Sequence, residues 1–323
     1  MIAAVLALLA SLIWGASDFG AGFMGRRTTV WSVVLITQTA GLIATGIVVA
    51  ATGHPFPPPA GWLAAMTAGL LGLVAVTSFY TALSIGLMSL VASISSTGIL
   101  VPVLVGLVRG ERPSPLQYVG MALAIGGVIL ASREPRRPKA NHDATTDDAT
   151  DEYVATGPAG ALAAPPPLSE RHSRGPRALA AWARTRSATT LSFSLALVAA
   201  GAIGTAYVAM AKAAQHDAYW GVFLMRATSL PLVLTTIMLV RPRLELAPRH
   251  VLPIVLVGVG DTTANTMFAV ASTCGYLSVV SVLGYLYPIV TVMLAHLVLH
   301  ERLAAVQRVA AAAALAGAIM VAA

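Results

Sequence analysis

GERPSPLQ at residues 110–117 and HERLAAVQ at 300–307 are the stretches that decide how this chain is read. Each holds Glu-Arg, four residues, then Gln. The pairs Glu111/Glu301, Arg112/Arg302 and Gln117/Gln307 are all 190 positions apart. Both stretches lie between long apolar runs, so one chain writes the same connector twice.

The surroundings say what is being connected. The chain is 57% hydrophobic and only 10% charged, against roughly 25% charged residues in a soluble domain. A soluble core stops growing near ~250–300 residues and has no place for so much apolar surface. A bilayer is the natural solvent. The single cysteine, Cys274, excludes an intrachain disulfide framework and a multi-cysteine metal site. The net charge of +7 does not mark a nucleic-acid binder, because the basic residues fall in loops between apolar runs.

A spanning helix needs about 20 mostly apolar residues. Ten runs qualify, near 2–22, 30–51, 62–83, 87–108, 114–132, 191–211, 219–240, 251–272, 276–299 and 303–322. Without water in the hydrocarbon each must satisfy its own backbone as an α-helix. The alternation of a membrane barrel strand is absent. The first run lacks a basic leader segment, which favours a retained helix over a signal peptide. Residues 133–189 differ in kind: proline-rich, charged, with acidic DATTDDATDEY at 143–153. They read as a disordered cytoplasmic linker.

The expected architecture is all-α and integral to the membrane: a five-helix repeat over 1–132, the linker over 133–189, and a second five-helix repeat over 190–323. Gly15/Gly204, Trp31/Trp220, Phe79/Phe268, Ala82/Ala271, Gly86/Gly275 and Ser89/Ser278, each 189 apart, extend the match beyond the connectors. Five is odd, so a linker that does not cross makes the halves inverted, a common transporter plan. Lys and Arg set the orientation. With both termini outside, the linker cations, Arg26, Arg27, Arg241, Arg243, Arg249, Arg302 and Arg308 face the cytoplasm. Only Arg109, Arg112 and Lys212 face out.

IWGASDF at 13–19, YLYPIVTVMLAHLVLHER at 285–302, GER at 110–112 and the Gly-rich fifth run of each half together resemble the drug/metabolite transporter superfamily, specifically its EamA-type ten-helix members. The likeness covers nearly everything outside the linker. It departs at Pro102, which lies four residues past the position matching Pro288, at His300 in place of Gly110, and at GAIGTAY in the sixth run. What the resemblance implies is a small-molecule carrier, often an exporter of amino acids, metabolites or toxic compounds.

Ionisable groups in the hydrocarbon cost at least ~2.5–3.5 kcal/mol and must face an interior or a wet cavity. Asp18, Arg226, Asp261 and His296 are such groups. Asp261, Asn265 and Phe268 share a helix face, a polar stripe with an aromatic end. Asp18 shares one with Ser11 and Trp14. Arg226 either snorkels or pairs with Asp261 or a solute carboxylate. Tyr80 with Ser84, Tyr207, and Tyr285 with Ser278 and Ser281 offer rings and hydroxyls to a cavity, or bond back to their own helices. Trp14, Asp18, Tyr80, Ser84, Tyr207, Arg226, Asp261, Asn265 and Tyr285 are therefore the candidate solute-binding residues. Pro288 is expected to kink its helix. The connectors, with Glu111, Arg112, Glu301 and Arg302, are expected to open the fifth helix of each half, where a carboxylate suits a helix N-terminus, or to act as gates.

No nucleotide loop, hydrolase elbow or zinc-protease motif is found, and His296 with His300 lacks a third metal ligand. No cofactor, metal or nucleic-acid partner is expected. The reading is a multi-pass inner-membrane transporter, an exporter of a small polar or amphipathic solute, working as a monomer or homodimer with protons as a candidate coupling ion. Its rivals are a scaffold or sensor acting through the linker and a membrane-embedded enzyme. Topology offers a direct check: in a Cys274→Ser background, cysteines placed at residue 2 and at residue 322 react with an impermeant thiol reagent from the same face.

Overall fold

A computed structural model describes residues 1–25, 27–85, 91, 94–131, 176–299 and 305–323. The side chains at 80, 83–85, 176–189, 295 and 299 lie outside the described part. In chain order the helices are α1 (Ile2–Gly25), α2 (Val30–Thr52), α3 (Pro59–Ile85), α4 (Leu100–Val108, entered through a 3-10 turn over Ser96–Ile99), α5 (Pro115–Ala131) and α6 (Pro176–Ala214). They continue as α7 (Ala218–Val240), α8 (Pro248–Cys274), α9 (Leu277–Gly284), α10 (Tyr287–Leu299) and α11 (Ala305–Ala322). Among the described residues there is no strand. Among the described residues eight segments are long and apolar enough to cross a membrane, α9 and α10 counting together as one, and Ser96–Val108 and Pro115–Ala131 are shorter apolar helices.

Local chemistry places the ends. Helices α3, α5, α6 and α8 start on proline, whose missing N–H would go unpaired in the first turn anyway. Asp217 caps α7 by accepting from the Trp220 N–H at 2.8 Å, and α2 stops at Gly53 with φ 62°, a left-handed conformation that glycine adopts without cost. Three elements differ from the sequence expectation. Helix α6 reaches back to Pro176, into the stretch assigned to the linker, because PRALAAWARTR is rich in helix-forming Ala, Leu and Arg; the rest of that stretch, 133–175, lies outside the described residues. The ninth run is two helices broken at Tyr285 and Leu286. Pro288 has no N–H for the Gly284 carbonyl, so a single kinked helix gives way to a break. The fifth helix starts at Pro115, not at Glu111. Pro113 disfavours helical geometry at Arg112, and Ser114 and Gln117 form a reciprocal capping box, 3.0 and 3.3 Å, just beyond it.

Packing runs between the halves more than within them. The most extensive contacts join α3 to α6, α5 to α11 and α1 to α8, followed by α3 with α7 and α2 with both α8 and α7. The map is symmetric when the halves are exchanged: first helix on third, third on first, second on second, fifth on fifth. Partners run antiparallel. Along α5 and α11, Gly120 meets Gly317 while Gly127 meets Ala310 and Ala314. Between α2 and α7, Gly46 meets Phe223 while Gly41 meets Arg226.

These seams are made of small residues. Gly120, Ala124 and Gly127 on α5 face Ala310, Ala314 and Gly317 on α11, and the alanines are fully or almost fully buried. In lipid no hydrophobic force separates helix from solvent, so backbone closeness and van der Waals contact must hold the pair. Neighbouring glycines separate packing from propensity. A Cβ at Gly127 would lie 2.7 Å from the Ala310 carbonyl oxygen, whereas one at Gly126 meets nothing within 4 Å among the described residues. Gly127→Leu is expected to cost about 1–3 kcal/mol or more through overpacking, and Gly126→Leu to be neutral or better, as read by thermal unfolding of the purified protein.

Candidate functional site

Helices from both halves meet around one charged group. Arg226 lies two turns into α7, 8% exposed. Too deep to snorkel, it spends its guanidinium inside the protein. Its Nη1 donates to Gln38 Oε1 at 2.5 Å, and its Nη2 donates to Asp261 Oδ2 in an ion pair. Gln38 comes from α2 and Asp261 from α8. The Nε–H of Arg226 and the hydroxyl of Thr262, 3% exposed, are both buried with no hydrogen-bond partner among the described residues. They flank Gly41: a Cβ there would strike Thr262 Oγ1 and come within 3.4 Å of Arg226 Nε.

Asp261 is half-buried, and Asn265 Nδ2 donates to its backbone carbonyl at 2.7 Å. Phe268, one turn further and 1% exposed, enters an aromatic cluster. Trp14 of α1 packs at 5.6 Å on Tyr207 of α6, at 5.7 Å on Phe268 and at 6.2 Å on Tyr287. Tyr207 also meets Tyr285 at 5.9 Å, and Tyr285 meets Tyr287 at 5.5 Å. Tyr285 and Tyr287 sit on either side of Leu286, where α9 and α10 part, so the break at Pro288 turns two consecutive odd positions onto one cluster. Gly284 allows this, since a Cβ there would lie 3.1 Å from the Phe268 ring. Asp18 lies one turn beyond Trp14 on α1 and is exposed.

A cavity of about 360 Å³ opens among α1, α2, α7 and α8, with Tyr219 of α7 in its wall. Ala44, Thr45, Val48, Thr263, Thr266 and Met267 line it, and Thr262 belongs to its wall.

Trp14, Asp18, Tyr207, Arg226, Asp261, Asn265 and Tyr285 thus fall in one contiguous region. Tyr80 and Ser84 belong to α3, but their side chains lie outside the described part, as do Glu301 and Arg302 altogether. Arg112 is exposed. Glu111 serves a helix other than its own: its carboxylate accepts from the Leu277 and Ser278 N–H groups at 2.6 and 2.9 Å and from the Ser278 hydroxyl at 2.5 Å. It caps α9 of the other half, filling orphan donors at a positive helix end. Gln38, Thr262 and Tyr287 were missed as site residues. Gln38 is the sole amide side chain inside the second run, a signal that could have been used.

Helices of this length and composition, closed around an ion pair of the second half that Gln38 of the first half joins, define a multi-pass α-helical membrane protein. The chain belongs to the EamA-like transporter family, whose model matches residues 1–133 and 190–323. That makes it a membrane transporter of the drug/metabolite type. No curated protein matches the chain. A solved crystal structure of a protein superposes with TM-score 0.69 at 16% identity, covering 99% of this chain and 98% of its own; the likeness speaks for the fold.

Removing one member of a buried pair leaves an uncompensated charge and costs about 3–5 kcal/mol. Asp261 is 31% exposed at its side chain, so the penalty here is discounted. Asp261→Leu is expected to destabilise by about 1–3 kcal/mol, and the double variant Arg226→Met/Asp261→Leu less than the single one, in thermal unfolding of the detergent-purified protein.

Proposed function

We propose that the protein is a secondary carrier, exporting a small polar or amphipathic solute across the inner membrane by alternating access. Ten spans form two inverted five-helix halves, 1–132 and 190–323. Both termini are outside and the 133–189 connection is cytoplasmic. The observation that carries the reading is the Gln38–Arg226–Asp261 cluster: a charged centre inside the hydrocarbon, built by helices of both halves, with an accessible carboxylate, Asp18, beside it. Intramembrane ionisable groups mark solute and ion pathways.

Inversion draws support from the antiparallel pairing of equivalent helices, α2 with α7 and α5 with α11. The gates draw support from cross-half straps at both ends of the bundle. At the end holding the termini, His54 pairs with Asp217, the Trp220 indole donates to the His54 carbonyl at 3.0 Å, and Glu111 caps α9. At the other end the Thr28 hydroxyl donates to the Glu245 carbonyl. Rocking of one half against the other opens one set while the other stays closed. Asp261 or Asp18 is the carboxylate proposed to bind the driving proton.

The test is a tolerance screen of cells with and without the protein against amino acids, nucleosides and toxic analogues. The protein is expected to confer tolerance to at least one compound class. Asp261→Asn, which keeps the size and hydrogen-bonding capacity of the side chain, is expected to abolish that tolerance or its pH dependence at unchanged membrane abundance. Full tolerance with an unaltered pH profile in Asp261→Asn removes Asp261 from the mechanism.

A further inference from the structure

We infer that the cavity among α1, α2, α7 and α8 binds a small, uncharged, mainly apolar molecule, which enters sideways from the hydrocarbon between α1 and α2. The inference rests on the carrier reading and names the class of solute that reading leaves open.

The wall sets the chemistry. None of the described residues that line it carries a charge. Threonines build much of it, yet their hydroxyls are taken up. Thr45 donates to the Gly41 carbonyl at 2.9 Å, Thr263 to Val259 at 2.8 Å and Thr266 to Thr262 at 3.0 Å. The Thr262 hydroxyl is buried against Gly41. Methyl groups are left to face the space, together with Leu6, Val48, Met267 and Val270. A charged occupant would shed its water and find nothing in this wall to replace it. At about 360 Å³ the space is roughly twice the ~150 Å³ apolar cavity that takes benzene.

Its place in the bundle sets the route. Helices α1 and α2 follow one another in the chain but scarcely touch; both pack on α8 instead. The cavity occupies the gap between them, with α8 as its floor. Within one turn of the wall residues, the large exposed side chains include Val5 and Leu9 of α1, Ile47 of α2 and Val259 of α8, a surface suited to lipid. Val270 and Thr262 lie four and twelve residues before the end of α8 at Cys274, about 6 and 18 Å along the axis. Against a hydrocarbon half-thickness of roughly 15 Å, the cavity runs from the membrane surface to its middle. Its contents come from a phase that dissolves neutral molecules and excludes ions. At the surface end Tyr219, the second residue of α7, packs edge-on against His54 at 5.4 Å. His54 belongs to the strap that closes this end, so one ring joins the occupant to the gate.

The probe is a benzyl alcohol bearing a photoreactive trifluoromethyl diazirine, applied to the full-length protein in lipid nanodiscs, with labelled residues mapped by mass spectrometry. Labelling is expected to concentrate on Leu6, Ala44, Thr266 and Met267, above that of the exposed Leu315 and Ile319, and to be displaced by naphthalenemethanol. At equal amounts in the nanodisc, naphthalenesulfonate and naphthylmethyltrimethylammonium displace it at least about tenfold less well, because each must carry a charge into hydrocarbon. Ala44→Phe, or Val48→Phe should the first fail to fold, fills the space and removes the displaceable labelling while that of Ile319 stays. Uniform or undisplaced labelling, charged competitors as effective as the neutral one, or displaceable labelling that survives in both filled variants overturns the inference. So does a photoreactive phospholipid that labels the same residues and yields to no competitor, which assigns the space to a lipid tail. Any of these with Asp261-dependent tolerance intact removes the neutral ligand and leaves the carrier standing. Displaceable labelling of a protein that confers tolerance to no compound does the reverse.

Discussion

Hydrocarbon offers a helix neither hydrogen bonds nor a reason to leave it, and this constraint shapes the whole molecule. Helices must satisfy their own backbones, and once they have done so, only close approach draws them together. The answer here is alanine and glycine. Ala3, Ala7 and Ala10 of α1, Ala64, Ala65 and Ala68 of α3, and Ala310 and Ala314 of α11 are all nearly or fully buried. Leucine, valine and isoleucine are common among the exposed large residues, for example Leu12, Leu70, Leu256 and Ile319. The usual inside-out sorting of a soluble protein is inverted because the exterior is itself apolar.

The same constraint governs the polar centre. A charge in this setting must bring its own compensation, and Arg226 does so with Gln38 and Asp261 on two other helices. Among the described residues the compensation is incomplete, since Nε has no partner and Asp18 stands outside the pair. A fully satisfied centre would serve only as a rivet between helices. Thr262, whose hydroxyl has no partner among the described residues, also belongs to the wall of the cavity.

Much of the fold could be read in the residues. Hydropathy alone marked the runs that became α1 to α3 and α6 to α8, because a spanning helix must be apolar along its whole length. The doubled connector and the constant offset pointed to a repeat, and the family match covers the same two halves. Within the site, helical spacing placed Asp261, Asn265 and Phe268 on one face and Trp14 beside Asp18. What spacing could not reveal was partnership between helices. Gln38 reads as a stray amide until α7 is laid against α2, and Glu111 reads as a helix starter until α9 comes to rest on it. Tyr287 hid behind Pro288, because a broken helix redirects side chains in a way that 3.6-residue periodicity does not describe. Pro176 was missed because its helix begins in a polar stretch, where hydropathy is silent.

The helix pairing has a consequence for how such a chain is made. In order of synthesis α1 precedes its main partner α8 by more than two hundred residues, and α3 precedes α6 by about a hundred. Segments of the first half therefore reach the bilayer long before the surfaces that complete them exist. Arg226 arrives after Gln38 but ahead of Asp261, so its charge stays uncompensated until α8 emerges. The nascent protein must be sheltered through that interval, and a ribosome halted between the halves would leave a fragment whose small-residue seams face lipid, a natural target for membrane quality control.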